Sequence, residues 1–150
     1  MPDFEDLPIV WYCSPVVAVA ETIVLRIPLP HRALAPGRPR RFGLQQRCMW
    51  QFRLAVAGAV RGASGLADVL ESPADVAVSI GTREARRIGA FWVPRSRDEM
   101  VAQASMAAAT ICDVAGVPAA RIVVRKVETS PNWGPFMVVR VGPYPSASEV

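Results

Sequence analysis

The chain has 150 residues, 51% of them hydrophobic and 20% charged, with a formal net charge of +4. That length makes one domain able to bury roughly two-thirds of its unfolded surface, which excludes two independent domains, and the high apolar fraction points to surface buried between subunits. No stretch approaches the roughly 20 apolar residues of a membrane-spanning helix, and Asp3, Glu5 and Asp6 stand where a secretory signal carries positive charge, so the expectation is a cytoplasmic protein with no membrane partner.

Residues 1–20 form an N-terminal arm that mixes acids, prolines and the apolar burst Ile9 to Tyr12. Thr22 to Leu29 carries the β-branched enrichment of a strand, and Pro28 marks an edge or a strand end. Pro30 to Arg41 is a loop, with Pro36-Gly37 as its turn signal and Arg32, Arg38, Arg40 and Arg41 massed within it. Between Leu44 and Val60, Cys48, Phe52, Ala55, Val56 and Ala59 recur at three- and four-residue steps, which predicts a helix. Asp75 to Ile80 reads as the next strand and closes a first β-α-β unit over 21–80.

The charged turn Arg83 to Arg87 leads into Ile88 to Val93, read as another strand. Ser96 with Glu99 three residues on is the pattern of a capping box, and Met100, Ala104, Ala107, Ala108, Ile111 and Ala115 continue as an apolar stripe to the stop at Gly116 and Pro118. Arg121 to Val127 is a strand, so a second β-α-β unit spans 88–134. Phe136 to Val141 is read as a short further strand within a C-terminal strand and tail, 135–150. The fold class is therefore α/β (α+β): tandem β-α-β units giving a four-stranded mixed sheet with two helices on one face, the other face left for a partner.

Chemistry-bearing motifs are few. Cys13, Cys48 and Cys112 lie apart in apolar segments and read as buried thiols, and His31 is the single histidine, so neither a metal site nor a Ser-His-Asp triad is expected. The arginine loop lacks interleaved aromatics, which disfavours a nucleic-acid surface.

The run Phe91 to Glu99, the turn Gly116-Val117-Pro118 and the segment Glu128 to Gly134, with Asn132-Trp133-Gly134 at its end, resemble the tautomerase superfamily in order and spacing over Ile88 to Gly134. The resemblance implies a homotrimer, no cofactor, and keto-enol proton transfer on a small anionic oxo acid. It also leaves open a decarboxylase, a dehalogenase or a catalytically silent scaffold on the same fold. The family's base is an N-terminal prolyl amine, whose pKa falls in a low-dielectric site beside cations. Pro2 is the residue that removal of Met1 would expose, although the first strand begins some twenty residues later. Arg95, at the helix start, matches the family's carboxylate-holding arginine, Trp133 matches its pocket aromatic, and Arg38 is the candidate from the first unit. The family's second arginine position falls at Val123, and Arg125 lies two residues further along the strand.

Overall fold

The computed structural model describes residues 22–37, 42–71 and 73–143. It is an α+β arrangement in which helices cover one face of a four-stranded mixed sheet. Strand β1 (Ile23–Pro28) leads through a short 3-10 turn, Arg32–Leu34, into α1 (Phe42–Arg61) and the single turn α2 (Leu66–Val69). Strand β2 (Ala74–Gly81) is followed by the short α3 (Ala85–Ile88), the long α4 (Arg97–Ala115), and then β3 (Ile122–Ser130) and β4 (Phe136–Pro143).

The sheet order is β1-β4-β2-β3. Strands β2 and β3 are parallel, while β4 runs antiparallel to both β1 and β2 and lies between them. The last strand among the described residues is therefore central, and Met137, Val139 and Val141 are fully buried.

Alternation along the strands decides which face is covered. Leu25 and Ile27 of β1, Val76, Val78 and Ile80 of β2, and Val127 of β3 join Phe52 and Val56 of α1 and Ala104, Ala107 and Ile111 of α4 in one core. Helices α1 and α4 touch each other over that face. Each fully buried aliphatic side chain contributes roughly 1.5–3 kcal/mol of transfer free energy. On the opposite face Val24 and Val123 remain 56% and 38% exposed, and none of the described helices covers it.

The helix ends follow from local chemistry. Ser96 Oγ accepts from Glu99 N at 3.2 Å to open α4. Gly116 closes it at φ 77°, with Val117 N donating back to Cys112 O at 3.0 Å.

One expected element is absent: Ile88 to Val93 is not a strand. Ile88 ends α3, Gly89 turns the chain at φ 77°, and only Phe91 makes an isolated antiparallel bridge, to His31. The backbone groups of this segment are taken by the connection after β1, with Arg32 N donating to Ala90 O at 3.0 Å and Trp92 N to Pro30 O at 2.8 Å. The buried Trp92 supplies a strand-like composition without a ladder. Two complete β-α-β units in tandem do not form; β2 instead serves both crossovers, β1-α1-β2 across the intervening β4 and β2-α4-β3 to its neighbour.

Cys112 lies on the buried side of α4, and burial raises its thiol pKa above the ordinary value. A group whose folded pKa is raised stabilises the fold below the unfolded pKa and loses that contribution as pH climbs through the folded one. The thermal midpoint is expected to fall as pH rises above the ordinary thiol range, about 8.5. Part of that slope should vanish in Cys112→Ala; an identical slope in the variant would remove the thiol from the account.

Candidate functional site

Three connections meet at the end of the sheet where β1 and β2 finish and α4 begins, the end at which parallel β-α units present ligand sites. The first is the turn after β1. His31 caps it by accepting from Ala33 N at Nδ1 (2.9 Å), and Gln45 of α1 donates to Ala33 O at 3.2 Å, so Arg32 stands on a braced turn. The second follows β2, where Arg83 N donates to Trp133 O at 2.7 Å and Glu84 takes a left-handed conformation (φ 62°) that swings α3 and Arg86 outward. The third is Phe91 to Ser96, which carries Arg95 into the start of α4.

Together these connections line a cleft of about 850 Å³ that includes Arg32, Gly37, Arg86, Phe91, Arg95 and Glu99. All three arginines are exposed along its walls. Among the described residues none of the three has a carboxylate partner. Some other cations of the fold are engaged: Arg53 with Asp113, Arg87 with Glu84 at 3.2 Å, and Lys126 with Glu128 at 3.5 Å.

Glu99 is the one carboxylate lining the cleft among the described residues. A capping box would send it back to the Ser96 amide. Instead its Oε1 accepts from Trp92 Nε1 at 3.0 Å and from Arg95 N at 3.4 Å. Trp92 is 3% exposed, and its indole N–H has no other partner among the described residues, so losing Glu99 would orphan a buried donor at a cost of about 1–3 kcal/mol. Beneath it the fully buried Gln103 donates from Nε2 to Trp92 O at 2.9 Å, which fixes the tryptophan from the helix side. Glu99 is thereby held to the wall, and no arginine side chain of the cleft has a carboxylate partner among the described residues.

The expected site residues separate. Arg95 lines the cleft; Trp133 and Arg125 do not. Trp133 stacks on Phe136 with centroids 6.2 Å apart and planes 10° apart, and the Arg26 guanidinium lies 3.7 Å from the Phe136 centroid. Arg125 is the extra residue of a β-bulge between the Val76↔Val124 and Ala77↔Lys126 pairs, and its Nε lies 3.0 and 3.2 Å from the two carboxylate oxygens of Asp75. A smaller hollow of about 400 Å³ between α4 and β3 includes Arg97 and Arg125. Arg97 there donates to Val127 O at 3.4 Å. Pro2 and Arg38 lie outside the described residues, although Gly37, which precedes Arg38 in the chain, is part of the cleft wall.

Arg32, Arg86 and Glu99 line the cleft with Arg95, and of the three only Glu99 is marked by its local sequence, as a capping-box acid. What brings the two arginines and Glu99 together is topological, since the arginines follow β1 and β2 and Glu99 sits in the first turn of α4, all at the same end of the sheet.

Among the described residues no group of three His, Cys, Asp or Glu comes together to hold a metal ion, and no helix is long and apolar enough to cross a membrane. No protein-family model matches the chain, and a search of curated proteins finds no match to it.

Proposed function

We propose that the chain binds a small organic anion in the Arg32–Arg86–Arg95 cleft and that it is an isomerase of tautomerase type, moving a proton between the keto and enol forms of a small oxo acid. The observation that carries the binding half is the meeting of three arginines, from three separate connections, with no carboxylate partner among the described residues. Guanidinium groups arranged this way hold carboxylates by charge-assisted hydrogen bonds, and a cleft of this size leaves room for a small acid.

The reaction half rests on the resemblance over Ile88 to Gly134, with Arg95 as the substrate-holding arginine and Pro2 as the residue whose amine takes and returns the proton without a cofactor. Decarboxylation or dehalogenation on the same anion-holding device are chemical variants of this proposal. The sheet face that no described helix covers, with Val24 and Val123 exposed, supports assembly into the homotrimer that the resemblance implies.

A second reading, a binding subunit without turnover, is favoured by the placement of Trp133 and Arg125 away from the cleft. Ketonisation of phenylenolpyruvate by protein of verified N-terminal mass separates the two. Activity that falls in both Pro2→Ala and Arg95→Ala is the expected result. Activity indifferent to Pro2 overturns the prolyl base, and an inactive wild-type chain that still binds anions establishes the second reading.

A further inference from the structure

Glu99 presents an apparent conflict, because a carboxylate shares one cleft with three arginines yet forms an ion pair with none of them among the described residues. The hydrogen bonds on its Oε1 resolve it. Trp92 is buried, with its backbone N–H held by Pro30 O and its backbone C=O by Gln103 Nε2; its indole N–H donates to that oxygen at 3.0 Å, and the Arg95 amide adds a second donor at 3.4 Å. A carboxylate tethered in this way stays on the wall as a fixed negative charge. The arginine heads remain available for an incoming anion.

Building on the anion-binding proposal above, we infer that Glu99 is a specificity-determining residue: a tethered charge that sets how much negative charge a ligand of this cleft carries. With Glu99 in place, the described lining carries three positive charges and one negative one. Each added charge on a ligand gains from the arginines and is opposed by Glu99, so the carboxylate penalises highly charged anions most. The Trp92 tether is the second part of the device. Without it Glu99 is free to turn onto an arginine and compete with the ligand from inside the cleft.

The two parts make predictions of opposite sign. Glu99→Gln keeps the side-chain shape and an acceptor for Trp92 Nε1 while removing the charge. It is expected to strengthen anion binding by a factor that grows with ligand charge, about threefold for acetate, tenfold for malonate and thirtyfold for tricarballylate. Trp92→Phe removes the tether and leaves the carboxylate, and malonate binding is expected to weaken severalfold.

The measurement is calorimetric titration of the full chain and both variants with acetate, malonate and tricarballylate at pH 8 and one low ionic strength, where the carboxylates are ionised and screening is constant. A charge-graded gain in Glu99→Gln supports the inference, because a purely structural role for Glu99 would change all three ligands alike. Wild-type binding with an ungraded or absent effect of Glu99→Gln overturns it and leaves the anion cleft standing. Failure of the wild-type chain to bind any of the three removes the anion-binding proposal itself.

Discussion

Arg95→Ala is expected to weaken binding of a small dicarboxylate tenfold to a hundredfold while leaving the fold intact. A charge-assisted hydrogen bond from a guanidinium to a carboxylate contributes about 1.5–3 kcal/mol, which is that range of affinity. The substitution is clean because what Arg95 gives the fold is its backbone: its amide N–H donates to Glu99 Oε1, and alanine keeps that group. The exposed guanidinium has no carboxylate partner among the described residues, so its removal leaves no buried charge behind. Thermal stability should stay within about 0.5 kcal/mol of the wild type, as for an ordinary surface change. Calorimetric titration with malonate beside a melting curve checks both halves. Unchanged affinity would take Arg95 out of the site.

Gly81→Ala is expected to have the largest effect on stability. Gly81 ends β2 and is buried where the β3–β4 connection crosses it. A Cβ added there runs into the carbonyl oxygen of Gly134 and lies 2.9 Å from both the Phe136 carbonyl oxygen and the Trp133 Cβ. None of these is the far end of a flexible side chain. The connection is also pinned, by Thr82 N to Ser130 O at 3.1 Å and Arg83 N to Trp133 O at 2.7 Å, so relief requires moving backbone. Overpacking of this kind costs about 1–3 kcal/mol and sometimes more, which for a domain of this size lowers the melting midpoint by several degrees. Because the same connection positions α3, loss of anion affinity should accompany it. Gly134→Ala is the control: a Cβ there meets only the Phe136 ring, at 3.9 and 4.0 Å, and should be nearly silent. A midpoint for Gly81→Ala equal to that of Gly134→Ala would contradict the packing described.

The long helices were legible from their apolar spacing, which in α4 coincides with signals at both ends. For α4, the stripe from Met100 to Ala115 coincides with the Ser96 cap and the Gly116 stop, and all three recur in the structure. For α1, the buried residues Cys48, Phe52 and Val56 are those of the three- and four-residue spacing. Ile88 to Val93 misleads because its aromatic and β-branched residues resemble a strand, whereas Trp92 is buried by a connection stapled to Pro30 and Gln103. The place of β4 was not legible either. Phe136 to Val141 announces a strand, but its insertion between β1 and β2 depends on tertiary pairing that no local pattern encodes.

The site divides in the same way. Arg95 was singled out by the resemblance, which places a carboxylate-holding arginine at the start of this helix. Arg32 and Arg86 belong to charge-rich turns that look alike in sequence, and only the shared end of the sheet brings them together. Glu99 was recognisable as a capping-box acid, yet a tryptophan seven residues earlier takes the bond that the box would have used. Trp133 and Arg125 were singled out by the same resemblance, and the fold engages them with Phe136 and Asp75 instead.

The central claim is that the three arginines make one anion site. It is tested most directly by titrating malonate into the full chain and into the triple variant Arg32→Ala, Arg86→Ala, Arg95→Ala at low ionic strength, with a melting curve to show that the variant is folded. Saturable binding to the wild type is expected, weakening as salt is raised and lost in the folded triple variant. Equal binding by the two proteins, or no saturable binding by the wild type, would contradict it.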